Sequence, residues 1–175
     1  MRWIVLLRAV NLGAHNKVPM AELRALLGEA GYEGVRTHLA SGNILLDGPE
    51  DAAAVAARIE RVVADALGVE TTAIMRTPAE LAATVAAHPF GTDVSQSYVA
   101  FLAARPDEAV ATRFREEHGD AERTVLAAAD VYLRLRRGVH GAHLSVARLE
   151  SLLGSPATLR NWRTVTALVE LAAQA

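Results

Sequence analysis

Apolar positions along this chain recur with two periods. Trp3 to Leu7 is apolar throughout, so Trp3, Val5 and Leu7 face one way in a strand and Ile4 and Leu6 the other. A short run apolar on both faces predicts a central strand covered on both sides. The other half of the chain or a partner subunit would supply the second cover. Pro19 suits a first helical position, where its missing N–H costs nothing. Met20, Leu23, Leu26, Leu27 and Ala30 follow at helical spacing, and Gly31 is a stop. Val35 to Ala40 predicts a second strand, Ser41-Gly42-Asn43 a tight turn, and Ile44 to Leu46 a third strand. Gly48-Pro49-Glu50-Asp51 opens a second helix with acids in its first turn. Its inner stripe is Val55, Ile59, Val62, Val63 and Ala66, and Gly68 closes it. Val69 to Arg76 predicts a fourth strand.

The order is βαββαβ, the ferredoxin-like arrangement. In that arrangement the first strand and the second–third hairpin turn end at the same edge. The loop from Asn11 to Lys17 and the turn from Ser41 to Asn43 should therefore meet.

The second half repeats most of this pattern. Thr77-Pro78-Ala79-Glu80 has the form of a capping box, and starts a connecting helix through Leu81 and Val85. His88-Pro89-Phe90-Gly91-Thr92-Asp93 breaks it and marks the boundary between subdomains at 1–88 and 89–175. A strand over Tyr98 to Ala103, a helix from Pro106 to Gly119, and a hairpin of Thr124 to Ala127 with Val131 to Leu135 follow. Gly138 to Gly141 is a loop, and Leu144 to Leu153 a helix stopped by Gly154. Ser155-Pro156 begins a last helical segment whose Trp162, Val165, Val169 and Ala172 share a face. The fold class expected is α+β, two ferredoxin-like subdomains in tandem with a C-terminal helical segment. No repeat is visible residue by residue.

The 175 residues carry a net charge of −2 and are 51% hydrophobic and 22% charged, the make-up of an ordinary globular chain with no positive field for nucleic acid. Cys is absent, which excludes disulfides and thiolate chemistry and fits a reducing, cytoplasmic setting. The apolar run before Arg8 is too short for an export signal or a membrane span.

The top-end residues Arg8, Asn11, Asn16, Lys17, Ser41 and Asn43 combine cations, amide and hydroxyl donors and a helix N-terminus, a set suited to a phosphate or carboxylate. The competing role is turn-making by Asn11, Gly13 and Asn43, with Arg8 or Lys17 paired to a carboxylate. Arg160 and Asn161, early in the last helix, are accessory candidates. Arg134 and Arg136 alternate with Val131, Leu133 and Leu135, which puts both on one strand face, most simply a solvated one. His140 and His143 lack a third ligand, so no metal site and no cofactor is expected. No Walker loop, zinc-protease helix or nucleophile elbow is present, and the scattered Ser and His cannot be assembled into a triad from sequence, so none is named.

Four stretches together resemble one bacterial family: Arg8-Ala9-Val10-Asn11-Leu12-Gly13, Asn16-Lys17-Val18-Pro19-Met20, Ser41-Gly42-Asn43, and Thr158-Leu159-Arg160-Asn161-Trp162-Arg163-Thr164-Val165. It is the family known as domain of unknown function sixteen ninety-seven. The resemblance spans nearly the whole chain and implies two ferredoxin-like subdomains; it implies no activity. Two departures stand out. His140-Gly141-Ala142-His143 replaces a Gly-Arg-Ser-Lys-like run, removing two cations, and Ala14 stands where a second glycine is common.

The functional expectation is a small anionic ligand at the first subdomain's loop end. Hydrolysis of an acyl phosphate or phosphoester, with Arg8 and Asn43 orienting phosphate, is an alternative by fold analogy alone, so the enzyme question stays open. A protein-interaction module or homo-oligomer is another. Nucleic acid and membrane are not expected partners.

Overall fold

A computed structural model describes residues 1–49, 51–120 and 122–174. The protein is α+β, and its described residues contain two four-stranded antiparallel sheets. They divide into two compact units, Met1–Glu80 with the C-terminal residues from Glu170, and Leu81–Val169.

In the first unit β1 (Arg2–Leu7), α1 (Met20–Glu29), β2 (Glu33–His38), β3 (Asn43–Asp47), α2 (Ala52–Leu67) and β4 (Ala73–Arg76) follow in order. The sheet runs β2-β3-β1-β4, with β1 central. One face packs Trp3, Val5, Leu7, Ile44 and Leu46 against Leu23 and Leu27 of α1 and Val55, Ile59 and Val63 of α2. Each such side chain contributes roughly 1.5–3 kcal/mol by leaving water. The other face, with Ile4, Leu6, Leu45 and Ile74, is buried as well. That is what an apolar run without alternation requires. β4 is shorter than the strand the sequence predicts, starting at Ala73 instead of Val69. Asp51 caps α2, its Oδ1 accepting from Ala53 N at 3.0 Å and Ala54 N at 3.1 Å; Glu50, read as a second acid there, lies outside the described residues.

The capping box is present. Thr77 N donates to Glu80 Oε2 at 2.7 Å, and Glu80 N to Thr77 Oγ1 at 3.1 Å. It starts α3 (Pro78–Ala86).

The second unit adds β5 (Ser97–Leu102), α4 (Glu108–His118), β6 (Thr124–Ala127), β7 (Asp130–Arg134), α5 (Val146–Leu153), β8 (Ala157–Asn161) and α6 (Trp162–Ala173). Its sheet runs β6-β7-β5-β8. The strand β8 corrects the sequence reading, which ran the last helix from Ser155-Pro156. Ala157 to Asn161 pair with β5, from Leu102↔Ala157 to Tyr98↔Asn161. The segment needs that distant partner to become a strand. The full βαββαβ order therefore occurs twice.

A residue-level repeat emerges once the registers are aligned. Leu7 N donates to Gly42 O, and Leu102 N to Ala129 O, both at 2.8 Å. Glu60 Oε1 of α2 accepts from Ala73 N, and Glu150 Oε1 of α5 accepts from Ala157 N, both at 2.8 Å. Gly68 and Gly154 cap α2 and α5 in the same left-handed conformation, φ 65°. Arg76 of β4 and Arg160 of β8 hold corresponding register positions, opposite Ile4 and Val99; both are buried, and each donates to the carbonyl of the residue before it.

Candidate functional site

The loop between β1 and α1 is held shut from within. Asn11 is its fastener: Nδ2 donates to Val18 O at 2.9 Å and Ala40 O at 2.6 Å, while Oδ1 accepts from Val18 N at 2.8 Å. One side chain thus joins the loop to the β2–β3 turn. Asn11 N donates to Asn16 O, and Asn16 Nδ2 to Ala9 O at 3.1 Å. The path demands positive φ at Ala9, Asn11, Gly13 and Asn16. Asn tolerates that region readily; Ala9 does not, and marks local strain.

The turn contributes Gly42, whose φ is 78° and whose missing Cβ would stand 2.6 Å from Val10 Cγ2 and 2.8 Å from Leu7 Cβ. Only glycine lets the turn lie this close to the loop. Asn43 closes the hairpin, with Nδ2 donating to His38 O at 2.7 Å and to Ser41 Oγ at 2.9 Å. The two loops meet, as the topology implies.

Of the two roles the sequence offers Asn11 and Asn43, their hydrogen bonds are those of turn-makers. Asn43 is fully buried, and Asn11 commits both ends of its amide to backbone. Both amides are spent on building the loop end. Lys17 is exposed, and Arg8 half-buried, its N–H donating to Thr72 O and its carbonyl accepting from Thr71 Oγ1. The N-terminus of α1 begins after Pro19 with no side-chain cap, in contrast to α2. Its first backbone N–H groups are thus left without a side-chain acceptor beside Lys17.

Arg160 and Asn161 lie in β8, not in the last helix. Arg160 is buried and donates to Thr158 Oγ1 at 2.7 Å and Leu159 O at 2.9 Å. Burial pushes its guanidinium down to about 10, still charged at neutral pH. Asn161 caps α6, its Oδ1 accepting from Thr164 N at 2.8 Å. They belong to the second unit's sheet and helix start. Arg136 falls in a turn after β7, so no two-arginine stripe exists. His143 Nε2 lies 2.6 Å from Thr124 Oγ1, His140 is exposed, and no metal-binding cluster occurs among the described residues.

A concave site lies inside the C-terminal unit, about 560 Å³ in volume, at the start of β5 and α6. Ser97, Tyr98, Asn161, Trp162 and Arg163 are among its lining. His88 Nε2 lies 2.9 Å from Ser97 Oγ, and its ring stacks tilted on Trp162 with centroids 4.2 Å apart. Burial holds the His88 imidazole below its ordinary value; a backbone hydrogen bond to Gly91 opposes this, and nearby Arg134 adds to it. The sequence reading did not gather these groups. A turn, with no apolar period, brings His88 to Ser97.

A family model matches residues 1–132. The chain belongs to the family of proteins of unknown function designated DUF1697. This DUF1697 chain is similar in structure to the conserved bacterial protein SP0830 from Streptococcus pneumoniae, with a TM-score of 0.72 at 20% identity over 98% of each chain. At that identity the likeness concerns fold. No curated protein matches the sequence. Among the described residues no helix is long and apolar enough to cross a membrane.

Proposed function

We propose that this chain is a cytoplasmic binding protein for a small anionic ligand bearing a phosphate or carboxylate, built from tandem ferredoxin-like subdomains over 1–88 and 89–175. The ligand is held at the loop end of the first subdomain. Arg8 and Lys17 supply charge, and the first turn of α1 supplies backbone donors. Asn11, Asn16, Ser41 and Asn43 form the frame. The supporting observation is the Asn11 amide, which fastens the exposed segment before Val18 to both neighbouring backbones. A segment fixed before binding loses less entropy when a ligand arrives. A helix start adds roughly 0.3–1 kcal/mol for an exposed anion, so the cations carry most of the attraction.

Titration of inorganic phosphate, acetate and adenosine monophosphate, followed by amide NMR, tests the reading. Saturating shifts are expected at residues 11–17 and 41–43, abolished in Lys17→Glu. Signals that stay fixed there with all three ligands would sink it.

A further inference from the structure

We infer that the C-terminal unit carries a reactive site in which Ser97 is a nucleophile and His88 its base, acting on small acyl esters that bear an acidic group. Four observations support this. Ser97 Oγ and His88 Nε2 are 2.9 Å apart, within the reach a nucleophile and base require. The base has its own positioning contacts, the rings of Phe90 and Trp162 with centroids 5.6 Å and 4.2 Å away. With the ring proton on Nδ1, Nε2 accepts from the serine hydroxyl, the arrangement the proposed reaction uses. Ser97 lines the cleft of about 560 Å³. That cleft also presents groups suited to an acidic ester: the exposed cation of Arg163, the amide of Asn161, whose Oδ1 already serves Thr164 N, and the ring of Tyr98.

The chemistry balances without a cofactor. Ser97 Oγ adds to the ester carbonyl carbon while its proton passes to His88 Nε2. The carbonyl–alkoxy bond breaks, and the leaving alcohol takes the proton from His88. A water molecule, deprotonated by the same nitrogen, then cleaves the acyl–serine bond, releasing the acid and restoring the hydroxyl. Ser97 is only 2% exposed, so access runs through the cleft and favours slender acyl groups.

The test treats the intact protein with methyl and dodecyl fluorophosphonates, followed by intact mass and peptide mapping, and with p-nitrophenyl acetate. One phosphonyl group is expected on Ser97 with the methyl reagent, and much slower labelling with the dodecyl one. Ser97→Ala should abolish the adduct and ester turnover. His88→Gln should slow labelling roughly 100-fold or more. Ser151→Ala, on the exposed face of α5, should leave the rate unchanged. Absence of an adduct on folded wild-type protein overturns the assignment, as does mapping to another residue. A labelling rate unaffected in a His88→Gln variant with wild-type circular dichroism overturns it too.

Discussion

The two units place different chemistry at the same point of the same frame. In the first, Arg2 stands opposite Asp47 across β1 and β3. Nε donates to Oδ1 at 3.0 Å and Nη2 to Oδ2 at 2.5 Å, so the pair is closed within the sheet. In the second, the equivalent partners are Ser97 and Arg134. Both turn to the connection after α3: Ser97 to His88, and Arg134 to the Phe90 carbonyl, its guanidinium 5.1 Å from the Phe90 ring centroid. A shared backbone register therefore specifies the fold without specifying the chemistry. The loop ends differ as well. Residues 8–19 join β1 to α1, whereas 103–107 suffice between β5 and α4. The long connection is where the first unit gathers its polar groups; the second gathers them at the opposite end of the corresponding strand.

The largest test of this contrast concerns the turn that receives the hydrogen bond from β1 or β5. Gly42→Ala should cost about 2–4 kcal/mol, from left-handed backbone and from overpacking against Val10 and Leu7. At the corresponding place the second unit already has alanine, because there the positive φ falls on Ala128. Ala129→Gly should cost no more than about 1 kcal/mol. Urea unfolding with amide exchange resolved by unit checks both. Equal costs would mean that the two turns are not alternative solutions to one problem.

Much of the frame was legible because its signals are local. The Thr77–Glu80 box, the Asp51 cap and the Gly68 and Gly154 stops each depend on residues a turn apart. The two-faced apolar run of β1 spoke for its burial directly. β8 was illegible for the opposite reason. Ala157 to Asn161 has weak alternation and buries Arg160, so its strand character comes from β5, far away in sequence. The internal repeat was hidden by spacing: Glu60 precedes its partner Ala73 by 13 residues, but Glu150 precedes Ala157 by 7. At the candidate site the residue types were legible and their orientation was not. Asn11 and Asn43 read equally well as ligand donors or turn-makers, and only the positions of Val18, Ala40 and His38 make them frame.

A second test separates the units by pH. His88 in the second unit is held below the usual histidine value of 6.5, chiefly by burial. Between that folded value and 6.5 the unfolded chain binds more protons, so stability rises with pH across the window. Acidification from pH 7 to about pH 5 should lower amide protection in the second unit as unfolded-state His88 becomes charged. In the first unit, the displaced carboxyl of Asp47 enters only below its ordinary 3.8. NMR titration of the His88 ring, alongside exchange in the His88→Gln variant, gives the check. A ring titrating at or above 6.5 would remove the basis for the contrast.

The smallest expected effect lies at Arg2. Its pair with Asp47 has side-chain exposures of 20% and 37%, so water screens part of the attraction despite the two-pronged geometry. Arg2→Gln should cost no more than about 1 kcal/mol at pH 7. The hydrogen bond from Arg2 is the main reason the Asp47 carboxyl sits below its ordinary value. A lowered carboxylate contributes stability above its unfolded value, and that contribution disappears as pH falls through the folded one. The gap in urea midpoint between wild type and Arg2→Gln should thus narrow from pH 7 to about pH 3. A gap that persists unchanged at the acid end would show that Arg2 acts through packing on its neighbours, and that the charge pair is not what distinguishes this edge from its counterpart at Ser97.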